Sequence, residues 1–353
     1  MSDSTFAFIV EGILMTGVSI FGLVCNSLTI YILNDRDVKL KRDFVQCLCA
    51  MTMFDNFFLV CAFFLFSLPR LSIGFNEDQF PHIAPYLFPI TNICMTCSCY
   101  MTVAVSVNRC IGTVCSASSR FPRIKNGYLQ ALIVLVVSVC VNAPRWLEFS
   151  CCNYKTVLSN VTDSVTGAVT TINRTRLEPI VNPIRNDPSY VRDYTLIASN
   201  VLTLLLPMII LSISAVLIYN EMARTANMTA GLLSDAEDTS RRRRYQGVTF
   251  MLIGIIILFI FCRVGELFVS IYELTMLVIY AHRDSFHNLV RNIININHFL
   301  LVCNSSLNFA IYCKDVFFRK CLLKLYHALT GKKKDAEDMG MQETQRMTRR
   351  MNL

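Results

Sequence analysis

The chain has 353 residues, of which 54% are hydrophobic and only 16% charged, and carries a formal net charge of +8. So few charged side chains cannot cover a water-soluble globule of this length, which excludes a soluble enzyme and points to an integral membrane protein. The basic excess then reads as a membrane-topology signal rather than a nucleic-acid patch.

A helix needs about 20 mostly apolar residues to cross a bilayer, and such runs recur at 8–33, 44–68, 86–112, 128–147, 194–219, 248–272 and 293–313. The first is preceded by Asp3 with no Lys or Arg and is too long for the apolar core of a signal peptide, so it reads as a retained helix. Lys39, Lys41 and Arg42 follow span one, and Arg120, Arg123 and Lys125 follow span three. Arginines 241–244 precede span six, and Lys314, Arg319, Lys320 and Lys324 follow span seven. All four groups share one face if the N-terminus is outside. The sequons at Asn160 and Asn173 fall in the long loop between spans four and five, which that orientation also places outside. Asn227 and Asn304 begin sequons too, but in the cytosol and inside the membrane, as chance occurrences of a short pattern.

The 16 cysteines lie mostly in spans or on the cytoplasmic side, where thiols stay reduced; Cys151 and Cys152 are the pair plainly outside. Cys94, Cys97 and Cys99 have no nearby His or carboxylate to complete a metal site and read as small packing residues. No nucleophile, base and orienting group stand at a recognisable spacing, and there is no phosphate loop, so no enzyme is expected.

Polar groups inside spans carry more information. They are Asn26, Asp55, Ser98, Arg109, Arg263, Glu266, Asn304, Ser305, Asn308 and Tyr312. Counting at ~1.5 Å per residue from the cytoplasmic ends brings Asp55, Ser98 and Asn304 to similar depth. Static interhelical hydrogen bonds average only ~0.6 kcal/mol, which does not account for a carboxylate there, so a functional polar core is expected.

In order along the chain, GLVCNS with Asn26, AMTMFD with Asp55, VNRC with Arg109, Pro207 in span five and NFAIY at the end of span seven resemble the motifs of rhodopsin-like G-protein-coupled receptors. NAPRWLE, FCRVGELF and NSSLNFAIYC look like the invertebrate receptors related to FMRFamide receptors. The resemblance covers all seven spans. It implies an all-α membrane protein: a seven-transmembrane bundle over residues 1–328, closed by a short amphipathic eighth helix, with a disordered cytoplasmic tail at 329–353.

The same resemblance assigns roles. Asp55, Ser98, Asn304, Ser305 and Asn308 match a mid-membrane sodium-binding cluster, an allosteric ion rather than a cofactor. Arg109 and Asn108, with Tyr312 and Asn308, match the region that meets the G protein on activation. Arg70, Arg145, Glu148, Arg263, Glu266, Glu273 and His298 collect by depth toward the outer ends as a ligand pocket. Arg263 and Glu266, and likewise Arg145 and Glu148, are three apart and can instead pair with each other. Glu273 is then the freer carboxylate for a cationic ligand group. Cys321 is a palmitoylation candidate on the eighth helix, equally readable as packed on its apolar face.

Departures from the family pattern are as specific. Asn108 replaces the acid before Arg109, and Cys110 the Tyr after it; Arg263 stands where a Trp is usual, Gly265 replaces the span-six Pro and Phe309 the span-seven Pro. The family's outer disulfide would need a cysteine near Ala84 or Pro85, and there is none, so that bond is expected to be missing.

The resemblance implies a multi-pass plasma-membrane receptor for a short amidated neuropeptide that activates a heterotrimeric G protein, with arrestin and membrane lipid as further partners and no nucleic acid. The alternatives are a ligand-independent receptor or one with a non-peptide ligand, and an ion channel or transporter using Asp55 as part of an ion path. The last lacks the internal repeat and paired broken helices of transporters.

Overall fold

The computed structural model describes residues 3–35, 41–114, 126–162, 169–229, 236–275 and 287–313, with 318, 321–323 and 326–327 beyond them. Among these residues, six helices are long and apolar enough to cross a membrane: α1 (Thr5–Leu33), α2 (Arg42–Leu71), α3 (Phe75–Gly112), α4 (Gly127–Leu147), α5 (Pro188–Glu221) and α6, whose apolar part is Ile253–Tyr272 within a helix over Ala236–Thr275. The seventh run is also helical, as α7, over His287–Ser306 and again over Asn308–Tyr312. It is more polar than the other six because five asparagines and a histidine lie among its residues 288–304. The outward faces of the bundle are apolar: Phe261 and Phe268, seven residues apart on α6, are 69% and 68% exposed. Such surfaces need lipid rather than water around them, and the architecture is that of a multi-pass membrane protein.

Helix α3 occupies the middle, packing on α2, α4 and α5, while α7 packs on α1, α2 and α6 and closes the ring. Two glycines set close approaches. A Cβ on Gly22 of α1 would collide with Ser306 of α7 and with Leu59 Cδ1 at 2.8 Å, and one on Gly127 would meet Asp43 O at 2.6 Å, bringing the start of α4 onto the start of α2. Asn126 caps α4 by accepting from Tyr128 N at 3.0 Å and Leu129 N at 3.3 Å.

Between α4 and α5 the chain forms an antiparallel hairpin, β1 (Phe149–Thr162) and β2 (Val169–Val181). It packs on α3 at the end where α1 begins and α2 finishes, called here the hairpin end. The sequence alone marks this stretch as a long outer loop, and the structure folds it into paired strands. Wide π-helical turns gather at the same end, at Phe8–Leu14 in α1, Phe63–Ser67 in α2, Phe75–Gln79 in α3 and Val191–Ala198 in α5. Pro207 follows another such turn, Val201–Leu205, which accommodates its missing N–H and the clash with the preceding turn. Where prolines are replaced the two helices differ: α6 runs unbroken past Gly265, whereas α7 breaks at Leu307 although Phe309 stands in place of the Pro.

The eighth helix falls largely outside the described residues. Of the apolar face expected from Phe317, Phe318, Cys321, Leu322 and Leu325, Phe318 and Cys321 are buried and Leu322 is half-buried against the core, with the Phe318 ring 5.6 Å from that of Phe309 and 5.8 Å from that of Tyr312. The tail at 329–353, the basic loop residues Lys39, Arg120, Arg123, Lys125, Lys314, Arg319, Lys320 and Lys324, and the side chains of arginines 241–244 lie outside the described residues as well.

Candidate functional site

The mid-bundle polar core exists as an assembled cluster. Asp55 is fully buried in α2; Ser98 Oγ of α3 donates to its Oδ1 at 2.5 Å and Asn308 Nδ2 of α7 to its Oδ2 at 3.0 Å. The Ser305 hydroxyl is a third partner of the carboxylate. Asn26 of α1 donates to the Ser305 main-chain carbonyl at 3.0 Å, so α3 and α7 meet on the carboxylate of α2 and α1 joins them through the Ser305 backbone. The break at Leu307 lets Ser305 and Asn308, on either side of it, both turn toward Asp55. Asn304, expected in this cluster, is half-buried and is not among Asp55's partners in the structure. Buried oxygens without a partner remain on Asn26, Ser306 and Tyr312.

At the opposite end from the hairpin, Arg109 is half-buried near the end of α3. Its neighbour Asn108 donates to Gln130 Oε1 of α4 at 2.7 Å, a bond that the acid usual at this position could not donate. Tyr312 is buried in the hydrophobic core beside Phe318 and Cys321. Cys321 therefore packs on an apolar face.

Toward the hairpin end, the residues grouped by depth separate into distinct ion-paired clusters. Arg263, whose side chain is 1% exposed, is ion-paired with Glu266, and its guanidinium lies 3.6 Å from Met95 Sδ and over the Phe259 ring. Glu148 is likewise buried and pairs most closely with Arg185; Tyr190 Oη donates to it at 3.0 Å, and Arg145 Nη1 lies 3.9 Å away without a hydrogen bond. Arg145 Nη2 donates instead to Ser199 of α5 at 2.9 Å. The Glu273 side chain lies outside the described residues.

The third cluster centres on a residue that sequence reasoning passed over, Glu11, 3% exposed within the π-helical turn of α1. Arg70 Nε donates to its Oε2 at 2.9 Å, and His298 Nδ1 lies 2.9 Å from its Oε1. The available signal was an acid inside the apolar string FIVEGIL.

The hairpin is tied to the bundle by polar contacts. Asn182 N donates to Glu148 O at 3.0 Å, Asn182 Nδ2 to Leu147 O at 2.9 Å, and Ser150 Oγ to Asn182 Oδ1 at 2.5 Å. Cys152 Sγ sits 2.9 Å from His82 Nδ1 at the start of α3. Among the described residues no disulfide is formed; the Cys151 side chain is outside them. Asn160 lies in β1 and Asn173 in β2. Among the described residues no three His, Cys, Asp or Glu side chains gather as a metal site.

No family model matches the chain. It is 25% identical over 324 residues, 88% of its length, to an FMRFamide receptor of Drosophila melanogaster, and it spans about half (52%) of that relative.

Proposed function

We propose that the chain is a G-protein-coupled receptor of the rhodopsin-like class for a short amidated neuropeptide, acting at the plasma membrane on a heterotrimeric G protein. The observation that carries this reading is the buried Asp55 carboxylate of α2, bonded by Ser98 of α3 and by Ser305 and Asn308 of α7, with Asn26 of α1 tied to the Ser305 backbone, in a multi-pass bundle. The similarity to an FMRFamide receptor supports both the class and the kind of ligand. A peptide entering from the hairpin end would meet the ion-paired clusters, and repacking of the bundle would expose Arg109 to the G protein. Arrestin would use the same opening. Asn160 and Asn173 would carry glycans on the hairpin.

The core residues fit a sodium ion in donor chemistry. Asp55 supplies a carboxylate and Ser98 and Ser305 supply hydroxyls, the oxygen ligands that hard cations prefer. A bound ion would replace the hydrogen bonds that Ser98 and Asn308 now make to the carboxylate and would favour one packing of the bundle over the other.

The test is expression of the receptor in cells with calcium and cyclic AMP readouts, screened against a library of amidated neuropeptides. A saturable response to one peptide class is expected. Silence across the library together with a ligand-independent ion current would overturn the reading in favour of a channel.

A further inference from the structure

Glu11 lies in a ready-made guanidinium site. Its side chain is 4% exposed, and its two oxygens face different elements. Oε1 is held from α7, by His298 at 2.9 Å and, with the Asn295 amide oriented so that both its atoms are satisfied, by Asn295 at 3.1 Å. The His298 ring is itself fixed by stacking on Phe66 at 4.1 Å. Oε2 is held by Arg70 at the end of α2, whose side chain is 46% exposed. The two elements pack closely here: a Cβ on Gly12 would rest in ordinary contact with Arg70 Cβ at 3.5 Å and Leu71 Cδ2 at 3.4 Å. One side of the carboxylate is therefore walled by packed donors, and the other is closed by a single guanidinium whose side chain is 46% exposed.

The other two carboxylates differ. The partner of Glu266 is Arg263, 1% exposed and sealed in the core. The partner of Glu148 is Arg185, 39% exposed but stacked on the Phe149 ring at 4.5 Å and near that of Phe88 at 5.6 Å, with Tyr190 and Arg145 on the same carboxylate. Among the described residues no ring covers Arg70.

We propose that Glu11 receives the arginine side chain of the peptide ligand and that Arg70 is a built-in competitor, occupying the site until the peptide's guanidinium takes its place. The proposal rests on the peptide-receptor reading above. Exchange of one guanidinium for another leaves no buried carboxylate stranded, which removes the main penalty of opening a buried ion pair. His298 and Asn295 keep Oε1 in position throughout. Release of Arg70 cuts the ionic link between α1 and the end of α2, so ligand capture and loosening of the hairpin end are one event.

A competitor and a receptor of the same group respond to mutation with opposite signs. The experiment compares Phe-Met-Arg-Phe-amide with its citrulline analogue, which keeps the shape and loses the charge, on wild type, Glu11→Gln, Arg70→Gln and Glu273→Gln, with surface density measured by an outer epitope tag. Glu11→Gln should lower the potency of the arginine peptide more than about tenfold and bring it to that of the citrulline peptide. Arg70→Gln should raise the potency of the arginine peptide and leave the citrulline peptide unchanged. Glu273→Gln should leave the ratio of the two potencies as in wild type. Shifts of the same sign in Glu11→Gln and Arg70→Gln, or loss of the ratio in Glu273→Gln, overturn the proposal while leaving the receptor reading intact. If Glu11→Gln does not reach the surface, Arg70→Gln decides alone: unchanged or lowered potency overturns it. A wild type that neither peptide binds or activates overturns the arginine-peptide reading and the proposal with it.

Discussion

Asn308 of α7 donates to the Asp55 carboxylate of α2 across 3.0 Å, joining two residues 253 positions apart in the chain. With Ser98 on the other carboxylate oxygen, this bond ties α7 and α3 to α2 through one carboxylate, which the proposed sodium ion would occupy. Asp55→Asn keeps the volume and removes the charge. Agonist affinity of the variant should lose its dependence on sodium concentration, measured by radioligand competition in sodium and in choline chloride. A wild type without sodium dependence would make the cluster purely structural.

On the proposed receptor function, Arg109→Ala should abolish G-protein activation while surface density and peptide binding stay near wild type. Asn108 is tied to Gln130 of α4 rather than supplying an acid beside Arg109, so Asn108→Asp should lower ligand-independent activity. Nucleotide exchange in membranes reads both, and full exchange by Arg109→Ala would remove the assigned role.

Gly22→Val tests the seam between α1 and α7. Its side chain would collide with Ser306 and Leu59, and overpacking of this kind costs ~1–3 kcal/mol. A lower thermal midpoint of the detergent-solubilised protein is expected. An unchanged midpoint would mean that the two helices stand further apart in the membrane.

Glu148→Ala removes a buried carboxylate and strands Arg185. Breaking such a pair costs about 3–5 kcal/mol, and the low end is expected because Arg185 is 39% exposed. The Arg185→Ala, Glu148→Ala double variant should lose less than the sum of the singles, measured by thermal unfolding. Additive losses would show that the pair contributes nothing as a pair.

Much of the molecule was legible in one dimension because a bilayer imposes one-dimensional rules: span length, the sidedness of Lys and Arg, and the cost of polar groups in hydrocarbon. Those rules, applied to the apolar runs and to the depth of Asp55, Ser98 and Asn304, anticipate the helices and the meeting of Asp55 with Ser98, whereas Asn308 was implied by the family resemblance and Asn304 is not among the partners of Asp55. Pairings three residues apart were also within reach, and Arg263 does hold Glu266. Tertiary structure decided the pairings that span the chain. Glu11 meets Arg70 59 residues on and His298 287 residues on, and Glu148 prefers Arg185, 37 residues away, to the nearer Arg145. Local spacing carries no information about such partners, since a buried carboxylate takes whichever cation the packing of neighbouring helices brings within reach. The continuity of α6 past Gly265 follows from the missing proline, whereas the break of α7 at Leu307, where no proline stands, was not legible in the local sequence.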